Sequence, residues 1–215
     1  MKPIGQGLCV VLMLTVPVLA EIVDRVSVVV GTRAIKQSDI DRDIRVVSFL
    51  NQAPLDFTPS ARKEAASRLI DQLLIRQDIQ AAGAAPAALS GMEQLLAQIK
   101  RDRFASDALY RQALAKYGLS EEDLKSALLW QLTVLRFIDQ RFASAAAVSD
   151  QEIEQYFNSH RAQLLKSTPT ARSASDVRPE IQTEIRGEHA NQQFEAWVDQ
   201  ARKDAQIDYP EESLR

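Results

Sequence analysis

Two sets of residues in this chain have types that could support chemistry, and the first is a serine followed by a lysine. Ser60 and Lys63 have the S-x-x-K spacing that pairs a nucleophilic serine with a lysine in penicillin-binding enzymes. The S-D-N and K-T-G motifs that accompany it there are absent from the sequence. Ser60 also follows Pro59 in the predicted first turn of a helix, where such residues are common. We therefore interpret the pair as part of a helix start.

The second set is the two histidines of the chain, which could act as bases or bind a metal ion. Neither His160 nor His189 has a cysteine, histidine or acidic residue at a metal-ligand spacing such as H-E-x-x-H. Glu188 precedes His189 directly, so on a helix the two side chains would point to different faces. We predict that both histidines are solvated surface residues and that no metal is bound.

Other catalytic patterns are missing from the sequence. There is no G-x-S-x-G nucleophile motif, no phosphate-binding loop and no dinucleotide fingerprint. Acidic residues are mostly accompanied by lysine or arginine nearby, as on solvated helix faces. The residues themselves predict neither a catalytic site nor a cofactor.

The N-terminal 20 residues have the organisation of a secretory signal peptide. Lys2 precedes an apolar run from Leu8 to Val16, and Val18-Leu19-Ala20 places small residues at the recognition positions. This pattern predicts cleavage between Ala20 and Glu21 and export of a chain without stable membrane insertion. Cys9, the only cysteine, lies in the removed segment, so we expect no disulfide in the mature chain.

The charge of the chain excludes some classes of partner. The formal net charge is −3, and it becomes −3 − 1 = −4 when Lys2 is removed with the signal peptide. Basic and acidic residues are interspersed, whereas proteins that bind nucleic acid concentrate basic residues on one face. We therefore expect neither nucleic acid nor an anionic membrane as a partner.

A β-hairpin is predicted at residues 23–37 and a further strand near the C-terminus. Val26, Val28 and Val30 alternate with other residues before a turn at Gly31. Two strands alone are marginally stable in water, and the segment QIDYP at 206–210 could supply a third. The two ends of the mature chain would then meet in one small sheet.

The rest of the chain predicts a mainly α fold, because helix-start and helix-stop signals follow one another along it. The predicted helices begin at Ser38 with Asp41 as its capping partner, at Thr58 before Pro59, near Ser90, at Ser106, at Ser120 with Asp123, at Ser149 with Glu152, and at Ser175; they end near Asn51, Gly83, Gly118 and Ala205 where a stop is recognisable. The predicted buried face of the second helix consists of Leu69, Ile70, Leu73 and Leu74.

Two of these helices have more than one apolar face. The fifth has one stripe that includes Leu124, Leu128 and Leu135 and a second that includes Trp130 and Val134. It is therefore either the central helix of a bundle, or it packs on one side and offers the other to a partner.

The apolar face of the last helix changes near Gly187, from Ile181 and Ile185 to a stripe that includes Phe194 and Trp197. Such a helix is expected to contact different parts of the molecule along its length.

Four segments resemble those of SurA-type periplasmic chaperones and related parvulin foldases. VVVGTRAIKQSDID at 28–41 resembles their N-terminal hairpin and helix start, and RLIDQLLIRQDIQAAG at 68–83 their second helix. VSDQEIEQYFNSHRAQL at 148–164 is similar to the helix before their prolyl isomerase domain. The stretch at 176–209 resembles the helix and strand that return after that domain.

The resemblance implies an intertwined helical chaperone module of the SurA N-terminal and trigger-factor peptide-binding type, with a small β-hairpin joined by a C-terminal strand. Residues 21–165 would form the N-terminal part, and residues 176–209 would complete it. Residues 166–175 would be a linker at the position where relatives carry a parvulin domain. Prolyl isomerase activity is therefore not expected here.

By the same resemblance the function is ATP-independent binding of unfolded outer-membrane or other envelope polypeptides in the periplasm. Surplus apolar helix faces are compatible with this, and each candidate residue could equally belong to the core. The candidate peptide-binding residues are Met92, Leu95, Ile99, Trp130, Val134 and Phe137. The alternatives are a structural or assembly subunit that uses the same groove for one partner or for self-association as a homodimer, and a residual isomerase.

Overall fold

The computed structural model describes residues 24–143, 147–167 and 173–210, so the predicted signal peptide and its cleavage site at Ala20 and Glu21 lie outside the described residues. The described elements are β1 (Val26–Val30), β2 (Arg33–Lys36), α1 (Gln37–Asn51), α2 (Pro59–Ala81), α3 (Leu89–Arg103), α4 (Asp107–Tyr117), α5 (Glu121–Arg141), α6 (Asp150–Ser167), a 3-10 helix (Ala174–Val177), α7 (Arg178–Asp204) and β3 (Ile207–Asp208). The mainly α fold with a small hairpin is thereby confirmed.

The three strands form an antiparallel sheet in the order β2-β1-β3. Val30 pairs with Arg33 across a two-residue turn, in which Gly31 has a φ of 58° that few other residues adopt readily. On the other side of β1, Val30 pairs with Ile207, and Gly31 N–H donates to the carbonyl of Gln206 at 2.9 Å. The predicted third strand is confirmed, although it is limited to Ile207–Asp208.

Several predicted helix starts are confirmed by the hydrogen bonds of their first residues. Thr58 Oγ1 accepts from Ala61 N–H at 3.3 Å, and Ser106 Oγ accepts from Leu109 N–H at the same distance. Such side chains satisfy backbone donors that have no partner within the helix. The reciprocal capping pairs are Ser120 with Asp123 and Ser149 with Glu152.

The predicted start of α1 at Ser38 is wrong. The helix begins at Gln37, and the carboxylate of Asp39, not Asp41, accepts from the backbone N–H of Lys36 at 3.0 Å. β2 leads into the helix without a loop, so Ser38 already lies in the first turn. Its N–H donates to Asp24 Oδ1 at 3.2 Å and so ties the helix to the start of the hairpin.

The start of α7 also differs from the prediction at Ser175. A 3-10 helix capped by Ser173 and Asp176 comes first, and α7 begins at Arg178, one residue before Pro179. Proline has no N–H, so it is tolerated only within the first turn of a helix. Pro179 therefore limits where the helix can begin.

α7 contacts three separate buried clusters of the described residues, as its changing apolar face predicts. Ile181 and Ile185 pack with α6 and the 3-10 helix. Ala190 then joins a cluster with residues of α2 and α5, and Phe194 packs against it. Ala201 finally contacts the core beneath the sheet. The N-terminal and C-terminal parts of the chain are therefore interwoven in one structure.

His160 lies on α6 and His189 on α7, and each is only partly exposed. His189 Nε2 lies 3.1 Å from Glu152 Oε1 on α6, and the ring of His160 stacks on Tyr156 at a centroid distance of 4.0 Å. Both side chains keep contact with solvent, as predicted, and each also has a partner within the protein. The carboxylate near His189 was missed because it comes from a different helix.

Gly187 is expected to be a point where the chain can be stabilised. It lies inside α7, and no heavy atom lies within 4 Å of the position that a Cβ would occupy. Gly187→Ala should raise the free energy of unfolding by about 0.5–1 kcal/mol, because alanine loses less conformational entropy in a helix. Urea unfolding followed by circular dichroism measures this change.

The matched control is Gly118→Ala. Gly118 has a φ of +63°, and an added Cβ would lie 2.5 Å from Arg45 Nη1. This variant should be less stable than the wild type. A loss of stability in Gly187→Ala would contradict the open surroundings of that residue.

Candidate functional site

A groove of about 680 Å³ lies between β2, α1, α2 and α5, and Phe194 of α7 also lines it. The term groove refers below to the space that these elements line. Its larger apolar side chains are Ile35, Val46, Val47, Leu50, Leu69, Leu73, Ile75, Trp130, Val134, Leu135 and Phe194. Its charged side chains are Arg33, Asp39, Arg42, Asp43, Arg76 and Asp123.

α5 supplies one wall of the groove because it has more apolar residues than its helical neighbours cover. Leu124, Leu128 and Phe137 are buried, with exposed fractions of 0%, 1% and 4%. Trp130 and Val134, one turn apart, are half-buried and line the groove. α5 therefore packs inside the protein on one side and borders the open groove on the other.

α2 supplies the opposite wall, where two leucines differ from the prediction. Ile70 and Leu74 are buried, as expected for the inward face. Leu69 and Leu73, which were expected to share that face, are half-buried and line the groove. The apolar face of α2 is wider than the stripe that a surface helix needs, and this excess is the signal that could have identified these two residues.

Trp130 and Val134 are the two of the six predicted peptide-binding residues that line the groove. Met92, Ile99 and Phe137 are buried, with exposed fractions of 6%, 8% and 4%, and Leu95 packs against the same core as Met92. These four residues do not line this groove, and their role in peptide binding stays a prediction. α3 packs on a different side of α5, so its apolar face is covered by α1, α4 and α5.

Arg76 covers part of the Trp130 side chain. Its Cζ atom lies 4.3 Å from the centroid of the indole ring, within the range of a cation–π contact. Burial lowers the pKa of the Arg76 guanidinium, and the positive charge of Arg33 lowers it further. The guanidinium nevertheless stays charged at neutral pH, because an arginine titrates far above that range.

Most other charges in the groove are paired with one another or with a neighbour. Arg42 Nε lies 3.3 Å from Asp123 Oδ1, and Arg42 Nη1 lies 3.9 Å from Asp39 Oδ1. Arg68, outside the groove, donates to Asp43 from two nitrogen atoms at 3.0 and 2.7 Å. These pairs hold α1 against α2 and α5 around the apolar surface.

β2 lies at the edge of the sheet and borders the groove through Arg33, Ala34 and Ile35. Opposite residues in an antiparallel pair alternate between those that exchange backbone hydrogen bonds and those that do not. Val30 and Arg33 close the two-residue turn and belong to the first kind, so Ala34 belongs to the second. Its N–H and C=O therefore point away from β1, towards the open edge.

The residues considered for chemistry lie elsewhere. Ser60 and Lys63 are exposed in the first turn of α2, and neither they nor the two histidines line the groove. Within residues 24–143, 147–167 and 173–210 there is no cluster of three or more side chains suited to hold a metal ion. In the same residues no helix has the length and apolar character needed to cross a bilayer.

Comparison with known proteins finds one similar chaperone. No protein-family model matches the chain. The chain is 25% identical over 168 residues to the Chaperone SurA of Chromobacterium violaceum, and the match covers 72% of this chain. It covers 39% of that protein, so the chain spans about two-fifths of the length of the relative that it matches. This is a distant relationship to a SurA-like protein.

Proposed function

We propose that this chain is an ATP-independent periplasmic chaperone whose groove holds extended segments of unfolded outer-membrane or other envelope proteins. The observation that carries the proposal is the apolar groove itself, with Trp130, Val134, Leu69 and Leu73 half-buried along two facing helices. Monomeric proteins seldom leave connected apolar surfaces open without a use. The distant similarity to a protein named Chaperone SurA supports the same role.

The chemistry of the groove suits weak and general binding. Apolar side chains of a client gain about 25 cal/mol for each Å² removed from water, so burying about 150 Å² contributes roughly 4 kcal/mol before entropy is lost. Such contacts require only that the client has an apolar side chain, whatever the rest of its sequence. They also allow release without ATP, since each contact is individually small.

The free edge of β2 favours a client in an extended conformation. A strand that lies along Ala34 could exchange backbone hydrogen bonds with it while its alternate side chains point into the groove. Backbone hydrogen bonds contribute affinity for any sequence. Contacts of the groove with apolar side chains on one face of the strand make the site prefer segments that carry such side chains. An unfolded β-barrel protein offers many segments of this alternating kind.

We further propose that binding occurs without prolyl isomerisation. α6 ends at Ser167 and the 3-10 helix begins at Ala174, and residues 168–173 between them span about 20 Å when extended. An isomerase domain cannot be built from so few residues. Isomerisation of a proline-containing peptide at catalytic rates by the purified chain would contradict this part of the proposal.

The proposed function is tested by suppression of aggregation. The chain without residues 1–20 is mixed with a β-barrel protein diluted from urea, and light scattering is followed at increasing molar ratios. Scattering should fall steeply near equimolar ratio, and several unrelated unfolded clients should behave alike. Albumin at equal mass concentration is the control for nonspecific crowding.

Two outcomes would contradict the function as a general chaperone. One is unchanged scattering at a several-fold excess of the chain. The other is capture of a single stoichiometric partner from an envelope extract with no effect on unfolded clients, which would favour an assembly subunit. Sedimentation of the purified chain would show whether self-association closes the groove.

A further inference from the structure

Among the residues that the structure describes, Arg33 and Arg76 are the charged residues of the groove without an acidic partner. Within the described residues, no carboxylate lies within 4.0 Å of either guanidinium, whereas Arg42, Asp39, Asp43 and Asp123 all have partners. Arg33 Nη2 donates to Gln80 Oε1 at 3.4 Å, a long hydrogen bond that does not neutralise the charge of Arg33.

Arg33 lies beside Arg76, because Gln80, to which Arg33 donates, lies one helical turn after Arg76 on the same face of α2. The charge of Arg33 contributes to the lowered pKa of Arg76, after the larger effect of burial. Both residues are exposed, so water screens part of this repulsion between like charges. An anion bound between them would remove this repulsion and form charge-assisted hydrogen bonds with both.

Arg76 also lies on the indole ring of Trp130, with 4.3 Å between its Cζ atom and the ring centroid. A carboxylate on Arg76 and an apolar side chain on Trp130 or Val134 would therefore lie close together. Both kinds of contact can come from a single short extended segment. Ala34 of the β2 edge lies next to Arg33 in the sequence and can hold the backbone of that segment.

We propose that the groove selects extended segments in which a carboxylate lies next to an apolar or aromatic side chain, with the carboxylate on Arg33 and Arg76 and the apolar side chain on Trp130. The inference rests on the proposed function and states which clients this site prefers. The carboxylate has two sources, the C-terminus of a polypeptide or an aspartate or glutamate side chain. Both present the same two oxygen atoms to the arginines.

Isothermal titration calorimetry with three peptides of equal length tests the proposal. All three alternate phenylalanine with polar residues; the first has an internal aspartate and an amidated C-terminus, the second an asparagine and a free C-terminus, and the third an asparagine and an amidated C-terminus. At least one acidic peptide should bind the wild type about tenfold more tightly than the neutral one. Comparison of the first two peptides identifies the preferred source.

The variants are Arg33→Gln, Arg76→Gln and, as the matched control, Arg101→Gln on α3. Arg101 is exposed and does not line the groove. Each groove variant should bind the acidic peptide about three- to tenfold more weakly than the wild type does. Its affinity for the neutral peptide should stay within about twofold of the wild-type value. Arg101→Gln should leave both peptides unchanged. Circular dichroism establishes that each variant is folded.

Three outcomes would overturn the proposal while leaving the proposed function in place. The neutral peptide binds the wild type as tightly as the acidic ones; the groove variants bind the acidic peptide as the wild type does; or Arg76→Gln weakens the acidic and neutral peptides equally. The last result would mean that Arg76 only supports the Trp130 ring. If no peptide binds and aggregation is not suppressed, the proposed function fails as well.

Discussion

Replacing Trp130 with Ala is expected to weaken the binding of an unfolded polypeptide by about ten- to a hundredfold. Trp130 is half-buried, lines the groove and presents the largest apolar side chain available there. Tryptophans at the centre of an interface commonly contribute about 2 kcal/mol or more to binding, and about 1.4 kcal/mol corresponds to tenfold in affinity. Fluorescence anisotropy of a labelled, permanently unfolded client measures the change.

The same substitution should affect folding less than binding. Part of the Trp130 ring is already in contact with solvent and part with Arg76, so its removal leaves no enclosed cavity. We expect the free energy of unfolding to fall by less than about 2 kcal/mol. Urea unfolding of the same preparation separates the two effects.

Trp197 is the matched control for Trp130. It is also half-buried, but it packs against Phe137 and Phe142 and does not line the groove. Trp197→Ala should lower stability and leave the affinity of the folded protein within about twofold of the wild type. Equal losses of affinity in the two tryptophan variants would show that the groove is not the binding surface.

Replacing Phe137 with Ala is expected to lower the free energy of unfolding by about 3–5 kcal/mol. Phe137 has an exposed fraction of 4%, and its ring lies 6.0 Å from those of Phe142 and Trp197 in edge-to-face arrangements. Its removal leaves a cavity and deletes two aromatic contacts. A domain of ordinary stability has about 5–15 kcal/mol in total, so the loss should be visible as a large shift of the urea midpoint.

Leu135, two residues earlier on the same helix, is the matched control. It has an exposed fraction of 55%, so Leu135→Ala should change stability by less than about 0.5 kcal/mol. Phe137→Ala should bind clients normally under conditions in which it is folded. Weaker binding with unchanged stability would restore Phe137 as a groove residue, as its place in the sequence pattern first suggested.

α7 makes the groove depend on the C-terminal part of the chain. Phe194 lines the groove, while Arg202 near the end of the helix is paired with Asp71 of α2 and donates to the carbonyl of Ser67 at 2.7 Å. The hydrogen bond of Arg202 to Asp71 raises the pKa of the guanidinium. α7 therefore holds the middle of α2 in place, and α2 in turn carries Leu69, Leu73 and Arg76.

The sequence by itself determined the elements and most of their limits. Thr58, Ser106, Ser120 and Ser149 each bond to a backbone N–H three residues later, so these starts depend on one turn of chain. The strand alternation of β1 and the change of apolar face along α7 were likewise readable, since both depend only on the repeat of the element. Ser38 failed as a helix start because its bonding partner is Asp24, a distant residue.

Only the tertiary structure decided which apolar residues are open to a client. Helical spacing puts Trp130 and Phe137, seven residues apart, on the same stripe of α5. Phe137 is nevertheless enclosed by α7 and the end of its own helix, while Trp130 borders the groove. Leu69 and Leu73 changed in the opposite sense, from predicted core to groove. Periodicity tells which side chains avoid water, because it follows from the geometry of one helix. Exposure depends on which other elements pack against that helix, and these contacts join residues far apart in the chain.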